Sequence, residues 1–196
     1  MTATQTAEQT WMPVVRFLTL YTEKLRILRL LRLQETPAPW VLLVTPSLFL
    51  LMAYLVSAYP DAPCLRWGCG LVSAYIIADY LLANTAVAYV TRSPKNPLRS
   101  VLLTLGVFAN VALGFSVWHT LQASSFVPTL TFVSAIYFSF TTIATVGYGD
   151  TTPRSPLAQL TVVSEIMVGL YLLAVILAVV TSWAPSAADT VDPREK

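Results

Sequence analysis

Residues 131–150 read Thr-Phe-Val-Ser-Ala-Ile-Tyr-Phe-Ser-Phe-Thr-Thr-Ile-Ala-Thr-Val-Gly-Tyr-Gly-Asp, and this stretch decides the fold. Its first part, Thr131–Ile143, is apolar and aromatic, with Phe132, Ile136, Tyr137, Phe138 and Phe140. Such a segment does not stay in water. It is also too short to cross a hydrocarbon layer, which needs roughly 20 helical residues. A re-entrant half-helix resolves the conflict. Pro128 just ahead suits its start, and Thr129 or Thr131 can cap it. The second part, Thr145-Val146-Gly147-Tyr148-Gly149-Asp150, places glycine at alternate positions, where a left-handed backbone carries no Cβ penalty. Irregular backbone at membrane depth is tolerated only inside protein or along a water-filled cavity.

The surroundings agree with a membrane setting. The 196-residue chain is 56% hydrophobic and only 11% charged, where soluble domains carry roughly 25% charged. Its mean hydropathy is +0.65. Twenty-two charged side chains cannot cover a water-facing surface, which excludes a soluble enzyme, a disordered chain and a basic nucleic-acid binder. Residues 100–149 carry no Asp, Glu, Lys or Arg, and neither do 36–60 or 166–188. Four spans follow: A over about 39–59, B over about 70–90, C over about 100–121 and D over about 156–183. Trp40, Trp67, Trp118 and Trp183 sit at span ends, where amphipathic indoles favour the headgroup level.

The basic residues set the orientation. Ten of twelve fall before A, between B and C, or after D, against Arg66 and Arg154 on the other side. Lys and Arg accumulate in the cytoplasm, so both termini are expected inside a plasma-membrane protein. The start, Met1–Thr10, is polar and lacks the basic region of a signal peptide.

The pattern Thr142-x-x-Thr145-x-Gly147-x-Gly149 between a half-helix and a full span resembles the potassium channel family, whose filter has this TVGYG spelling. The resemblance implies that carbonyls of Thr145, Val146, Gly147 and Tyr148 replace the hydration shell of K⁺, with the Thr145 hydroxyl adding an inner ring. No other cofactor is implied. Val146 and Tyr148 side chains would brace the filter from outside, Tyr137 packing on Tyr148. Thr141, Thr142 and Asp150 complete the support. One filter per chain implies a homotetramer, and the C-terminus of the half-helix, near Ile143, would direct its partial negative charge at the ion. Two positions depart from the family. Ala144 stands where many relatives carry Thr. Thr141 stands where a well-known bacterial two-helix member has a Glu paired with the Asp that follows the filter.

By the same resemblance C is the outer helix and D the pore-lining inner helix. Gly169 is either a hinge or a site of close helix packing. Leu170, Leu173, Leu177 and Thr181 share one helical face, which lines the inner mouth and gates by dewetting, or else meets lipid.

Other polar residues need partners. Asp79 in B and Glu165 in D are costly inside a bilayer, at about 2.5–3.5 kcal/mol each on insertion scales. Structural hydrogen bonds are expected: Asp79 with Asn110 of C, and Glu165 behind the filter or to a neighbouring helix. An ion- or proton-sensing role is the alternative. His119 reads as an interfacial residue near the end of C. Arg26, Arg29 and Arg32 recur among leucines, and read as a basic amphipathic helix on anionic lipid rather than a voltage sensor, since no three spans precede them. Cys64 and Cys69 form a local disulfide or remain free thiols.

The expected fold class is an all-α membrane protein: four transmembrane helices, a re-entrant pore helix and a filter loop, assembled as a tetramer. Residues 1–37 form a cytoplasmic segment, 38–97 two additional spans, 98–183 the pore domain and 184–196 a short tail. The expected activity is passive, K⁺-selective conduction without enzyme chemistry. The partners are other copies of the chain and membrane lipid, with no nucleic acid and no enzyme substrate. The competing readings are a non-conducting scaffold or regulatory subunit and a weakly selective cation channel.

Overall fold

A computed structural model describes residues 41–90 and 97–181. The basic segment with Arg26, Arg29 and Arg32, together with Trp40, Trp183 and the tail, lies outside the described residues.

Among the described residues five α-helices follow in order: α1 (Val41–Ala58), α2 (Pro63–Val90), α3 (Pro97–Leu121), α4 (Phe132–Ile143) and α5 (Pro156–Thr181). Among the described residues, two stretches are long and apolar enough to cross a membrane, Val101–Leu121 in α3 and Pro156–Ala178 in α5. Val44–Ala58 and α4 are shorter apolar helices. The start of α2 differs from the expected Gly70. Pro63 begins the helix, a first-turn position that needs no N–H, so Trp67 lies within the helix rather than before it.

The α3 helix is the shared wall. It packs against α1, α2, α4 and α5. On one side Leu113 and Val117 meet Phe49, Met52, Ala53 and Val56 of α1. On the other, Val111, Ala112 and Phe115 meet Ile143 and Leu172. Gly114 permits this closeness: a Cβ there would lie 2.8 Å from the Ile77 side chain and 3.3 Å from Phe49.

Several buried polar groups between the helices are paired. Ser73 of α2 donates to the Gly114 carbonyl at 2.8 Å. Thr45 of α1 donates to Asn110 Oδ1 at 2.7 Å and therefore accepts from the Tyr80 hydroxyl at 2.6 Å. Asn110 Nδ2 donates to the Gly106 carbonyl at 2.8 Å. Such bonds hold helices together where apolar packing has no hydrophobic drive. Asp79 is 9% exposed on the same α2. Cys64 and Cys69 are both free, the first exposed and the second buried.

The α3–α4 and α4–α5 connections are tied to each other. Phe126–Val127 and Thr152–Pro153 pair as a minimal antiparallel ladder, β1 with β2, and Arg154 N donates to the Ser125 carbonyl at 2.7 Å. This bridge fastens the two ends of the segment that holds α4 and the loop after it.

Candidate functional site

Local chemistry sets α4 firmly. Thr131 is its N-cap. The Thr131 hydroxyl accepts from Ser134 N at 3.2 Å, and Ser134 Oγ accepts from Thr131 N at 2.6 Å. Two otherwise unpaired helix-end donors are thereby satisfied reciprocally. Pro156 opens α5 at its first position, with Ser155 ahead of it accepting from Ala158 N at 3.2 Å.

The chain after α4 departs from helical geometry in a regular way. Thr145, Gly147 and Gly149 have φ of 57°, 54° and 75°. Left-handed residues thus recur at every second position. Gly147 and Gly149 adopt this at little cost. Thr145 is β-branched, so its left-handed conformation is strained. Reading the sequence for glycine alone missed it, because the alternation that explains two glycines extends one step further back.

The turn is stapled to the helix beneath it. Val146 N and Gly147 N both donate to the Thr141 carbonyl, at 2.9 and 3.1 Å, and Thr145 N donates to the Thr142 carbonyl at 2.9 Å. The Thr141 hydroxyl donates back to the Phe138 carbonyl at 3.0 Å. Tyr148 stacks on Tyr137, with ring centroids 6.2 Å apart and an interplanar angle of 3°. The Asp150 carboxylate interacts with the Tyr137 hydroxyl from the far end of the loop. Residues 144–150 are exposed in a single protomer, including the apolar side chain of Val146. Thr145 and Gly147–Asp150, with Val162 and Ile166 of α5, border an open cleft.

Behind α4 lies a buried polar cluster. His119 Nε2 and Glu165 Oε2 are 2.7 Å apart, both side chains wholly buried. This corrects the interfacial reading of His119: its ring is wholly buried, with Phe126 and Phe138 packed against it in edge-to-face contact. Ser139 of α4 joins the cluster, hydrogen-bonded to Glu165 Oε1 and 2.6 Å from the Ala112 carbonyl. The sequence held one signal for it. His119 is the lone titratable residue of span C, and Glu165 is the lone charged residue of span D.

Gly169 of α5 lies against the end of α4. A Cβ there would meet Ile143 Cγ1 at 2.8 Å and the Ile143 carbonyl oxygen at 2.9 Å, so this glycine serves a close helix approach. Leu170, Leu173, Leu177 and Thr181 are all exposed in the protomer, as are Leu157, Leu160, Val163 and Met167.

The chain is 33% identical over 82 residues to "Two pore potassium channel c" of Oryza sativa subsp. japonica, a match covering 40% of this chain and 18% of that relative. The chain thus spans less than a fifth of that relative's length. No solved structure matches. A family model described as "Ion channel" matches residues 76–185, more than half of the chain, including the second half of α2 and all of α3, α4, the filter-like loop and α5. This membrane protein belongs to the ion channel family, on the potassium-channel side of it.

Proposed function

We propose that four copies of this chain form a K⁺-selective channel. The observation that carries the reading is the alternation of left-handed backbone at Thr145, Gly147 and Gly149 within TVGYG. An extended strand points successive carbonyls to opposite sides. Alternating the handedness turns consecutive carbonyls to one side, where those of Thr145, Val146, Gly147 and Tyr148 replace water around the ion. The relative from Oryza sativa is a potassium channel by its description, which supports the same choice of ion.

What one chain leaves uncovered supports the tetramer. The loop is exposed, its cleft is open, and α5 presents a continuous apolar face. Around a fourfold axis, neighbours cover the loop, and Leu170, Leu173, Leu177 and Thr181 surround the inner mouth. The C-terminal end of α4 then lies under the filter, and four such ends, each with about half a negative charge, favour a cation in the cavity. In this assembly α1 and α2 are two further spans ahead of the pore domain at 98–183. Both termini face the cytoplasm of a plasma-membrane protein, and the basic segment at 26–32 lies on anionic lipid.

Reconstitution of the pure protein tests the reading. The expected result is K⁺ flux with strong discrimination against Na⁺, and a fourfold mass in native mass measurement. Absence of flux would favour a scaffold or regulatory subunit. Equal K⁺ and Na⁺ permeability would favour a weakly selective pore, and a dimer would overturn the assembly.

A further inference from the structure

The cluster behind α4 holds one hydroxyl with two acceptor-like neighbours. Ser139 Oγ is 2.6 Å from the Ala112 carbonyl and in contact with Glu165 Oε1. A hydroxyl carries a single proton. The Ala112 carbonyl can only accept, so the Ser139 proton belongs on that bond. Ser139 Oγ is then an acceptor towards Glu165, and the proton of that second bond must come from the carboxyl. The other carboxyl oxygen, 2.7 Å from His119 Nε2, then bears no proton, so Nε2–H is the donor to it. His119 Nδ1 has no hydrogen-bond partner among the described residues. A neutral ring leaves there only an unpaired acceptor, whereas an imidazolium would bury an unpaired charged donor, the costlier case. Every hydrogen bond in the cluster thus points one way: His119 to Glu165, Glu165 to Ser139, Ser139 to Ala112. No net charge is buried, which avoids the desolvation cost of an ion pair.

We propose that Glu165 is a positioning residue that, as a neutral carboxyl joining His119 of α3 to Ser139 of α4, holds the half-helix and thereby the filter carbonyls in register. The link to the filter is short. Ser139 lies two residues before Thr141, whose carbonyl takes the N–H groups of both Val146 and Gly147. Gly169, one helical turn beyond Glu165 on α5, abuts Ile143 at the end of the same half-helix. Outer and inner helices thus clamp α4 at two heights. The inference rests on the selective-pore reading above.

The direction of the relay makes glutamine a specific substitute. In Glu165→Gln the new side chain would accept from His119 through its oxygen and donate to Ser139 through its amide, reproducing every link. The test is the K⁺/Na⁺ bi-ionic reversal potential of the full chain in planar bilayers, for wild type, Glu165→Gln, Glu165→Ala and Ser139→Ala. Glu165→Gln is expected to keep the wild-type value. Glu165→Ala and Ser139→Ala are expected to lose at least tenfold in permeability ratio, a shift of about 59 mV. Ser139→Ala removes one buried oxygen and little volume, so it carries the prediction if Glu165→Ala does not assemble. Glu165→Gln losing selectivity as Ser139→Ala does would overturn the neutral relay. Wild-type selectivity in Ser139→Ala would overturn the positioning role. A wild-type protein that fails to discriminate K⁺ from Na⁺ would overturn the pore reading, and this inference with it.

Discussion

Replacing Gly169 by alanine sets two effects of one methyl group against each other. Alanine is the better helix former by about 1 kcal/mol. The new Cβ, however, would lie 2.9 Å from the Ile143 carbonyl oxygen and 2.8 Å from Ile143 Cγ1. Ordinary van der Waals contact begins near 3.4 Å, so the helices must separate by about half an ångström. Neither neighbour is the free end of a flexible side chain, and the carbonyl belongs to the last turn of α4. Overpacking of this kind costs about 1–3 kcal/mol, which outweighs the gain in helix propensity. The comparison is Gly68→Ala on α2, where a Cβ meets nothing within 4 Å. There only the gain operates, about 0.4–1 kcal/mol. The same chemical change should therefore lower the thermal midpoint at 169 and raise it at 68, by about 2–4 °C per kcal/mol for a chain of this size. Thermal unfolding of the detergent-solubilised protein measures both. Gly169→Ala should also reduce K⁺ flux in vesicles, because the displaced turn carries the loop bonded to Thr141. A Gly169→Ala protein as stable and as conductive as wild type would refute the close-packing argument and return Gly169 to a hinge.

Other substitutions probe separate parts of the site. Gly147→Ala forces a side chain into a left-handed position at φ 54°, at about 1–2 kcal/mol per copy, and should abolish selective K⁺ flux while leaving helical content by circular dichroism unchanged. Tyr137→Phe keeps the ring stacked on Tyr148 and should retain selectivity, whereas Tyr137→Leu forfeits about 0.5–1.5 kcal/mol of aromatic contact and should accelerate loss of current during sustained recording. Thr45→Val removes the hydrogen bonds to Asn110 Oδ1 and to the Tyr80 hydroxyl, and should destabilise the α1–α3 contact by about 0.5–1.5 kcal/mol per bond, read as faster proteolysis of α1 with pore selectivity intact.

The half-helix and its loop were legible because length and chemistry conflict there. Thr131–Ile143 is too apolar for water and too short to span, and few structures satisfy both limits. The start of α5 was legible through Pro156, whose ring suits a first turn. Contacts between distant segments were not. His119 and Glu165 are 46 residues apart, and periodicity on either helix gives no distance between them. His119 looked interfacial because its sequence position is near a span end, while its burial depends on Phe126 and Phe138 folding over it. The β1–β2 bridge was hidden for a related reason: two residues on each side carry no alternating pattern to read. The strained Thr145 was hidden by its type, since a β-branched residue argues against the backbone it adopts.

Four separate attachments fall on α3 between Asn110 and His119: Thr45 at Asn110, Ser139 at the Ala112 carbonyl, Ser73 at the Gly114 carbonyl and Glu165 at His119. Each comes from a different helix. Deleting one residue inside this stretch would rotate everything beyond it by about 100° and carry the later anchors away from their partners together. Point changes here alter one attachment at a time, but a change in the length of the stretch severs several at once. Insertions and deletions in descendants of this chain should therefore collect in the turn at Ala123–Ser125 and spare residues 110–119.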